Sequence, residues 1–146
     1  MSDFNYFELK HAIIIHDKII EITGGLHGNR DIGLLESLTD HVRNDTYYPK
    51  ITDKLTHIVY SIAMGHAFND GNKRSSIALG GLFLVINGYG RLIGTFFVEL
   101  ENIVLWLAEH KIDKNFLFEI IKAIVEYGEL SEEIKLKLVA SIEKKE

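Results

Sequence analysis

From Ile77 to Ile86 the chain carries only apolar side chains and glycine. A segment that is apolar on every side has to be surrounded by other elements. It is also far too short for a bilayer, which needs roughly 20 such residues. Gly80-Gly81 inside it would each cost about 1 kcal/mol against alanine in a helix, which is acceptable where a neighbouring helix packs close. Asn87-Gly88 supplies the stop. The expectation is a central helix, and the rest of the chain must provide what covers it.

The flanking pattern supplies helices. Leu9, Ile13, His16 and Ile20 recur at helical spacing and stop at Gly24-Gly25. Asp31 is placed to cap a short helix carrying Leu34, Leu35, Leu38 and Val42. Thr52 reads as the cap of the next, whose stripe is Leu55, Ile58, Val59, Ile62 and Ala63, with His66 at its end. Further stripes follow at Leu100, Ile103, Val104, Leu107 and at Phe116, Leu117, Ile120, Ile121, Ile124. The last segment opens on Ser131-Glu132-Glu133 and closes on Lys144-Lys145, matching charge to the helix dipole. Between the second and third helices, Asn44-Asp45-Thr46-Tyr47-Tyr48-Pro49 is rich in turn formers, yet its Thr-Tyr-Tyr centre favours extended backbone, so a short hairpin or flap is expected there. The reading is an all-α, compact helical bundle with a short flap before the motif helix, one domain over residues 1–146 with no internal repeat or linker.

Composition narrows the function. Cysteine is absent, which removes disulfides and thiolate metal sites and fits a reducing cytoplasm. The start, Met1-Ser2-Asp3-Phe4, lacks the charged flank and apolar run of a signal peptide. Net charge is -5 without a long basic stripe, so neither nucleic acid nor membrane is the expected partner.

The chemistry concentrates in His66-Ala67-Phe68-Asn69-Asp70-Gly71-Asn72-Lys73-Arg74, between two core helices. His66 is the side chain there that accepts a proton near neutral pH, hence the candidate general base. Asp70 is a hard oxygen ligand suited to Mg²⁺, which takes one or two carboxylates plus substrate phosphates. Gly71 frees the backbone to turn amides inward. Asn72 is a natural helix cap, and the amides after it converge where the helix dipole favours an anion. Lys73 and Arg74 sit at that same positive end, against the preference of the dipole; a phosphate would resolve the conflict. Phe68 is expected to anchor the turn in the core. Each residue alone has an ordinary structural use, and their order and spacing carry the argument.

At these residues the chain resembles the Fic/Doc superfamily, whose motif reads HxFx(D/E)GN(G/K)R and is matched at every specified position by residues 66–74. Similarity extends over roughly residues 10 to 127, including Gly24-Gly25, Arg30-Asp31, Leu34-Leu35-Glu36-Ser37 and Phe83-Leu84-Val85-Ile86-Asn87-Gly88-Tyr89. The adenylyl-transferring Fic enzymes would have glycine at Lys73 and a second arginine at Ile77. Both departures resemble the death-on-curing (Doc) toxins, which implies transfer of the γ-phosphate of ATP to a threonine of elongation factor Tu. Lysine in place of glycine adds bulk and charge where a nucleotide phosphate would approach the backbone, and loss of the second arginine removes a clamp on the distal phosphates.

The resemblance implies His66 as base, Asp70 as Mg²⁺ ligand, and Gly71, Asn72, Lys73 and Arg74 around the phosphates of ATP. It implies target docking along the flap, where Tyr47 or Tyr48 would line the added strand. The inhibitory signature (S/T)xxxE(G/N) of many relatives is absent: the only Glu-Asn pair is Glu101-Asn102, and Phe97 stands where its serine or threonine belongs. Restraint is therefore expected from a separate antitoxin protein. Three rivals remain: adenylyl transfer, a binding module without catalysis, and a metal phosphohydrolase built on His16-Asp17 with His11, His57 and His110.

Overall fold

The computed structural model describes residues 3–29 and 31–143. Seven α-helices account for the regular structure there: α1 (Leu9–Thr23), α2 (Ile32–His41), α3 (Ile51–Gly65), α4 (Asn72–Ile86), α5 (Ile93–Ala108), α6 (Lys114–Tyr127) and α7 (Glu132–Glu143), with a 3-10 turn at Gly90–Leu92 before α5. The all-α expectation holds. Arg30 and the terminal Lys144-Lys145 lie outside the described residues.

Helix ends follow the local chemistry. The Asp31 carboxylate accepts from the Leu34 amide at 3.2 Å, Asp113 accepts from Phe116 at 2.8 Å, and the Ser131 hydroxyl accepts from Ile134 at 3.1 Å. Thr52 does not cap. It is buried inside the first turn of α3, and Asp53 instead accepts from the Lys50 amide at 3.0 Å. The carboxylate one residue further on makes the stronger, charge-assisted bond.

The centre is a pair of helices. α4 packs against α3, α5 and α1, and α3 also against α6 and α2. α3 buries its apolar stripe together with Thr52, Lys54, Thr56 and His57, so it is enclosed more fully than α4. The all-round apolar α4 buries Leu79, Gly80, Gly81, Phe83 and Leu84, but Val85 stays 47% exposed. Hydropathy alone placed α4 at the middle; the polar residues that α3 also buries put α3 there. The two glycines have the expected reason. A Cβ on Gly80 would lie 2.9 Å from Phe96 Cζ and 3.1 Å from a Val59 methyl, and one on Gly81 would lie 2.5 Å from the Phe97 ring.

The stretch Asn44–Pro49 forms a turn, in place of the extended hairpin expected. Asn44 Oδ1 accepts from the amides of Thr46 at 2.9 Å and Tyr47 at 3.0 Å, and the Asn44 carbonyl accepts from Tyr48 at 2.9 Å. An asparagine side chain that imitates a backbone turn outweighs the strand preference of Thr-Tyr-Tyr. The turn is pinned by Lys54, fully buried, whose ammonium donates to the Val42 carbonyl at 2.7 Å and to Asp45 at 2.8 Å. It also lies 5.1 Å from the Phe4 ring centroid and 5.4 Å from that of Tyr6. Tyr48 stacks on His57 at 4.3 Å.

Two outcomes follow from this packing. Gly80→Val should destabilise the fold by about 1–3 kcal/mol, the usual penalty for overpacking a tight core, as read by chemical denaturation. His57 is held in its neutral form down to about 4 by burial, with the nearby Lys114 and His41 charges adding to the effect. Its ordinary value is about 6.5, so protonation favours the unfolded chain. Stability should be full above about pH 6.5 and fall as pH drops towards about 4. In His57→Gln that part of the decline should vanish, which thermal unfolding across this range measures.

Candidate functional site

The motif occupies the connection between α3 and α4. α3 ends on His66, whose backbone is left-handed at φ 57° and ψ 42°. That conformation is uncommon for a residue with a side chain; it turns the chain sharply and leaves the imidazole exposed. Among the described residues the ring has no hydrogen-bond partner. Ala67 and Phe68 then drop into the core, both fully buried. The Phe68 ring lies flat against the equally buried His16 of α1, centroids 3.7 Å apart and planes 4° apart. Expectation and structure agree that Phe68 is the anchor.

Backbone pairing fixes the loop from its other side. The segment between α1 and α2 runs antiparallel to it through Asn29 and Phe68. The Asn69 amide donates to the Gly28 carbonyl at 3.1 Å, and the Asp31 amide to the Ala67 carbonyl at 3.0 Å. The Asn69 side chain adds a bond to the His27 carbonyl at 3.0 Å.

Asn72 is placed differently from the expectation. The cap of α4 is Gly71, left-handed at φ 80°, and Asn72 is the first helical residue. Its side chain reaches back to Phe68, accepting from the amide at 3.1 Å and donating to the carbonyl at 3.0 Å. A glycine can take the left-handed cap position without strain, which releases asparagine to satisfy both backbone groups of a buried residue.

Asp70 is half-open to solvent, with 43% of its side chain exposed. One carboxylate oxygen accepts from the Leu26 amide at 3.1 Å and the other from its own neighbour Gly71 at 2.8 Å. The Leu26 bond, then the Gly71 bond, hold its carboxyl below the usual carboxylate range, and Arg74 and Lys73 add to this. Arg74 is turned sideways. One guanidinium nitrogen donates to the Thr23 hydroxyl and, at 3.0 Å, to the Gly24 carbonyl. Another lies 3.7 Å from Asp70. Its charge therefore sits at the carboxyl end of α1, where the helix dipole welcomes a cation, and half of the electrostatic conflict expected from sequence is resolved inside the protein. Lys73 remains exposed beside the first-turn amides of α4, which no main-chain carbonyl of the helix can reach.

These placements bring His66, Asp70, Gly71, Lys73 and Arg74 onto one loop and one helix start. Tyr47 and Tyr48 belong to the Asn44–Pro49 turn; Tyr47 is 75% exposed and Tyr48 is half-buried. Among the described residues no group of three or more His, Asp or Glu is arranged to hold a metal ion. The histidines of the phosphohydrolase reading are dispersed: His11 accepts from the Glu8 amide at 3.0 Å, His57 is buried against Tyr48, and His16 is under Phe68. A single half-open carboxylate fits an ion that takes its remaining ligands from phosphate and water. His16 is the contributor that sequence reading passed over, although a polar residue on an otherwise apolar stripe was its visible sign. The Leu26 amide left no sign at all, since backbone groups carry no residue identity.

Gly25 tests the geometry around Asp70. A Cβ there would lie 2.6 Å from the Asp70 carboxylate oxygen, on backbone at φ 125°. Gly25→Ala should push the loop away, break the Leu26 bond and move the Asp70 titration upward, as read by carboxyl-carbon NMR.

A model of the Fic/DOC family matches residues 6–84, which contain the whole motif, α3 and most of α4. The chain is 40% identical over 83 residues to "Protein kinase doc" of Escherichia phage P1, covering 54% of this chain and 65% of that protein. It is 39% identical over 69 residues to "Toxin Doc" of Mycolicibacterium smegmatis, covering 44% of this chain and 53% of that protein. The chain thus spans between half and two-thirds of the length of these relatives. No helix among the described residues is long and apolar enough to cross a membrane. Motif, loop geometry and matched region coincide, and the chain belongs to the Fic/DOC family.

Proposed function

We propose that this chain is a Doc-like toxin that transfers the γ-phosphate of ATP to a protein hydroxyl, a threonine of a translation factor such as elongation factor Tu. The observation that carries the reading is the juxtaposition at the start of α4: unclaimed amides and the exposed Lys73 beside a half-open, ionised Asp70, with the unpartnered His66 ring on the same short loop. Similarity to a protein called a kinase supports phosphoryl transfer in particular.

In this reading the phosphates of ATP lie against the Asn72–Arg74 amides and the Lys73 ammonium, with Gly71 supplying the turn that presents them. Asn72 contributes its main-chain N–H, because its side chain holds Phe68. Asp70 would hold Mg²⁺, which when bound neutralises phosphate charge. His66 takes the proton of the target hydroxyl as its oxygen bonds to the γ-phosphorus. The bond from that phosphorus to the β–γ bridging oxygen breaks, and ADP leaves. Arg74 keeps Asp70 and the end of α1 in register. Catalysis is then positioning plus charge neutralisation. The target would dock along the Asn44–Pro49 turn, where Tyr47 is exposed. A separate antitoxin protein would restrain the enzyme in the cytoplasm of its own cell, since the self-inhibitory signature is missing from the sequence.

The decisive experiment combines purified protein, Mg²⁺ and a bacterial lysate with ATP labelled at either the α- or the γ-phosphate. Label from the γ-position should appear on one band, on threonine. It should fall by roughly 10²- to 10⁴-fold in His66→Ala, the usual range for loss of a general base. Lys73→Gly should cripple the γ-transfer. Transfer of α-label instead would mean adenylyl transfer, and absence of any His66-dependent label would leave a binding module.

A further inference from the structure

The pair His16-Asp17 has no part in the chemistry above, yet its position is unusual. His16 is a fully buried polar ring on α1, outside the motif. One face lies flat on Phe68. Its Nε2 is 2.7 Å from the backbone carbonyl of Asp70, which can only accept, so Nε2–H donates. Its Nδ1 lies 3.1 Å from the carboxylate of Asp17, which is more than half exposed. A Cβ on Gly71 would come 3.6 Å from the same imidazole. One side chain therefore touches the anchor and the peptide of the loop, Phe68 by stacking and Asp70 by hydrogen bond, and leaves little room for a side chain at its cap, Gly71.

We infer that His16 is a positioning residue for the site. It sets where the Asp70 carboxylate and the Gly71–Asn72 amides stand, without touching substrate. The inference rests on the proposed Mg²⁺-dependent phosphoryl transfer for its consequence, though not for its geometry. Asn72 holds the Phe68 peptide and Leu26 holds the Asp70 carboxylate, while the Asp70 carbonyl between them is held, among the described residues, by His16. Phenylalanine at position 16 would keep the stack and lose the donor. Glutamine would keep a donor and lose the stack. Without the bond the carbonyl is free to rotate, and its carboxylate and the next amide rotate with it. A displacement of this kind loosens a metal ligand while leaving the phosphate-facing charge of Lys73 in place.

The test separates that role from ordinary core packing. Wild type, His16→Phe, His16→Gln and Asp17→Ala are compared by amide hydrogen exchange and by calorimetric titration of ATP with and without Mg²⁺. In His16→Phe, exchange over residues 68–72 should accelerate roughly tenfold while α6 exchanges as before, a local opening. The Mg²⁺ concentration that half-saturates binding should rise roughly tenfold, about the effect of one lost hydrogen bond to a constrained group, with metal-free ATP affinity unchanged. His16→Gln should recover part of both effects. Asp17→Ala, on the surface, should show a smaller change in the same segment, and it serves if His16→Phe does not fold. Acceleration spread evenly over all helices, or an unchanged loop, would overturn the inference. If wild-type protein binds no Mg²⁺-ATP, the proposed function fails, and the exchange pattern alone still decides whether His16 positions the loop.

Discussion

Everything at the candidate site depends on the burial of Phe68. A chain that leaves one core helix and enters another within a few residues must pass its backbone polar groups close to the interior, where each unpaired group is expensive. Here the loop buries Ala67 and Phe68 completely, and three separate elements then satisfy the peptides around them. Asn72 of α4 takes both Phe68 groups, the α1–α2 segment takes Ala67 and Asn69, and His16 of α1 takes Asp70. The polar side chains stay at the rim because the apolar ones between them are locked inside. Rigidity of the loop is thus a consequence of hydrophobic burial with the Phe68 peptide groups and their neighbours hydrogen-bonded from three sides.

The same economy appears in the electrostatics. A basic residue in the first turn of a helix opposes the dipole, and Arg74 escapes the conflict by leaning across to Thr23, Gly24 and Asp70. The arginine is a strut between α1 and α4 as much as a phosphate contact. Lys73 has no such outlet and remains exposed. Two adjacent cations at one helix start are therefore physically distinct. Buried charge follows the stricter rule that it must be paired and hydrogen-bonded. Lys54 meets it through Val42, Asp45 and two aromatic faces, and in doing so fastens the Asn44–Pro49 turn to the most buried helix. The turn nearest the expected docking surface is thereby tied to the core by a lysine that looks, in sequence, like a surface residue.

Helices were legible because apolar spacing and cap chemistry are local. The stripes at Leu100–Leu107 and Phe116–Ile124 and the cap at Asp31 stand where periodicity and cap preference put them. Where local signals competed, the reading failed. Thr46-Tyr47-Tyr48 favours strand, but the Asn44 side chain closes a turn first. Thr52 resembles a cap, but Asp53 makes the better bond. Asn72 resembles a cap too, and Gly71 holds that position.

What the sequence determined by itself is the set of helices and the identity of the chemical groups at residues 66–74, since spacing, propensity and side-chain chemistry belong to neighbouring residues. Tertiary structure alone decided how those groups are held. The amide of Leu26, the carbonyl of Gly24 and the ring of His16 come from α1 and the loop after it, more than forty positions away in the chain. No pattern near the motif announces them. A hydrogen bond to a backbone group leaves no mark on residue type, and only the packing of α1 against α4 brings those groups within reach.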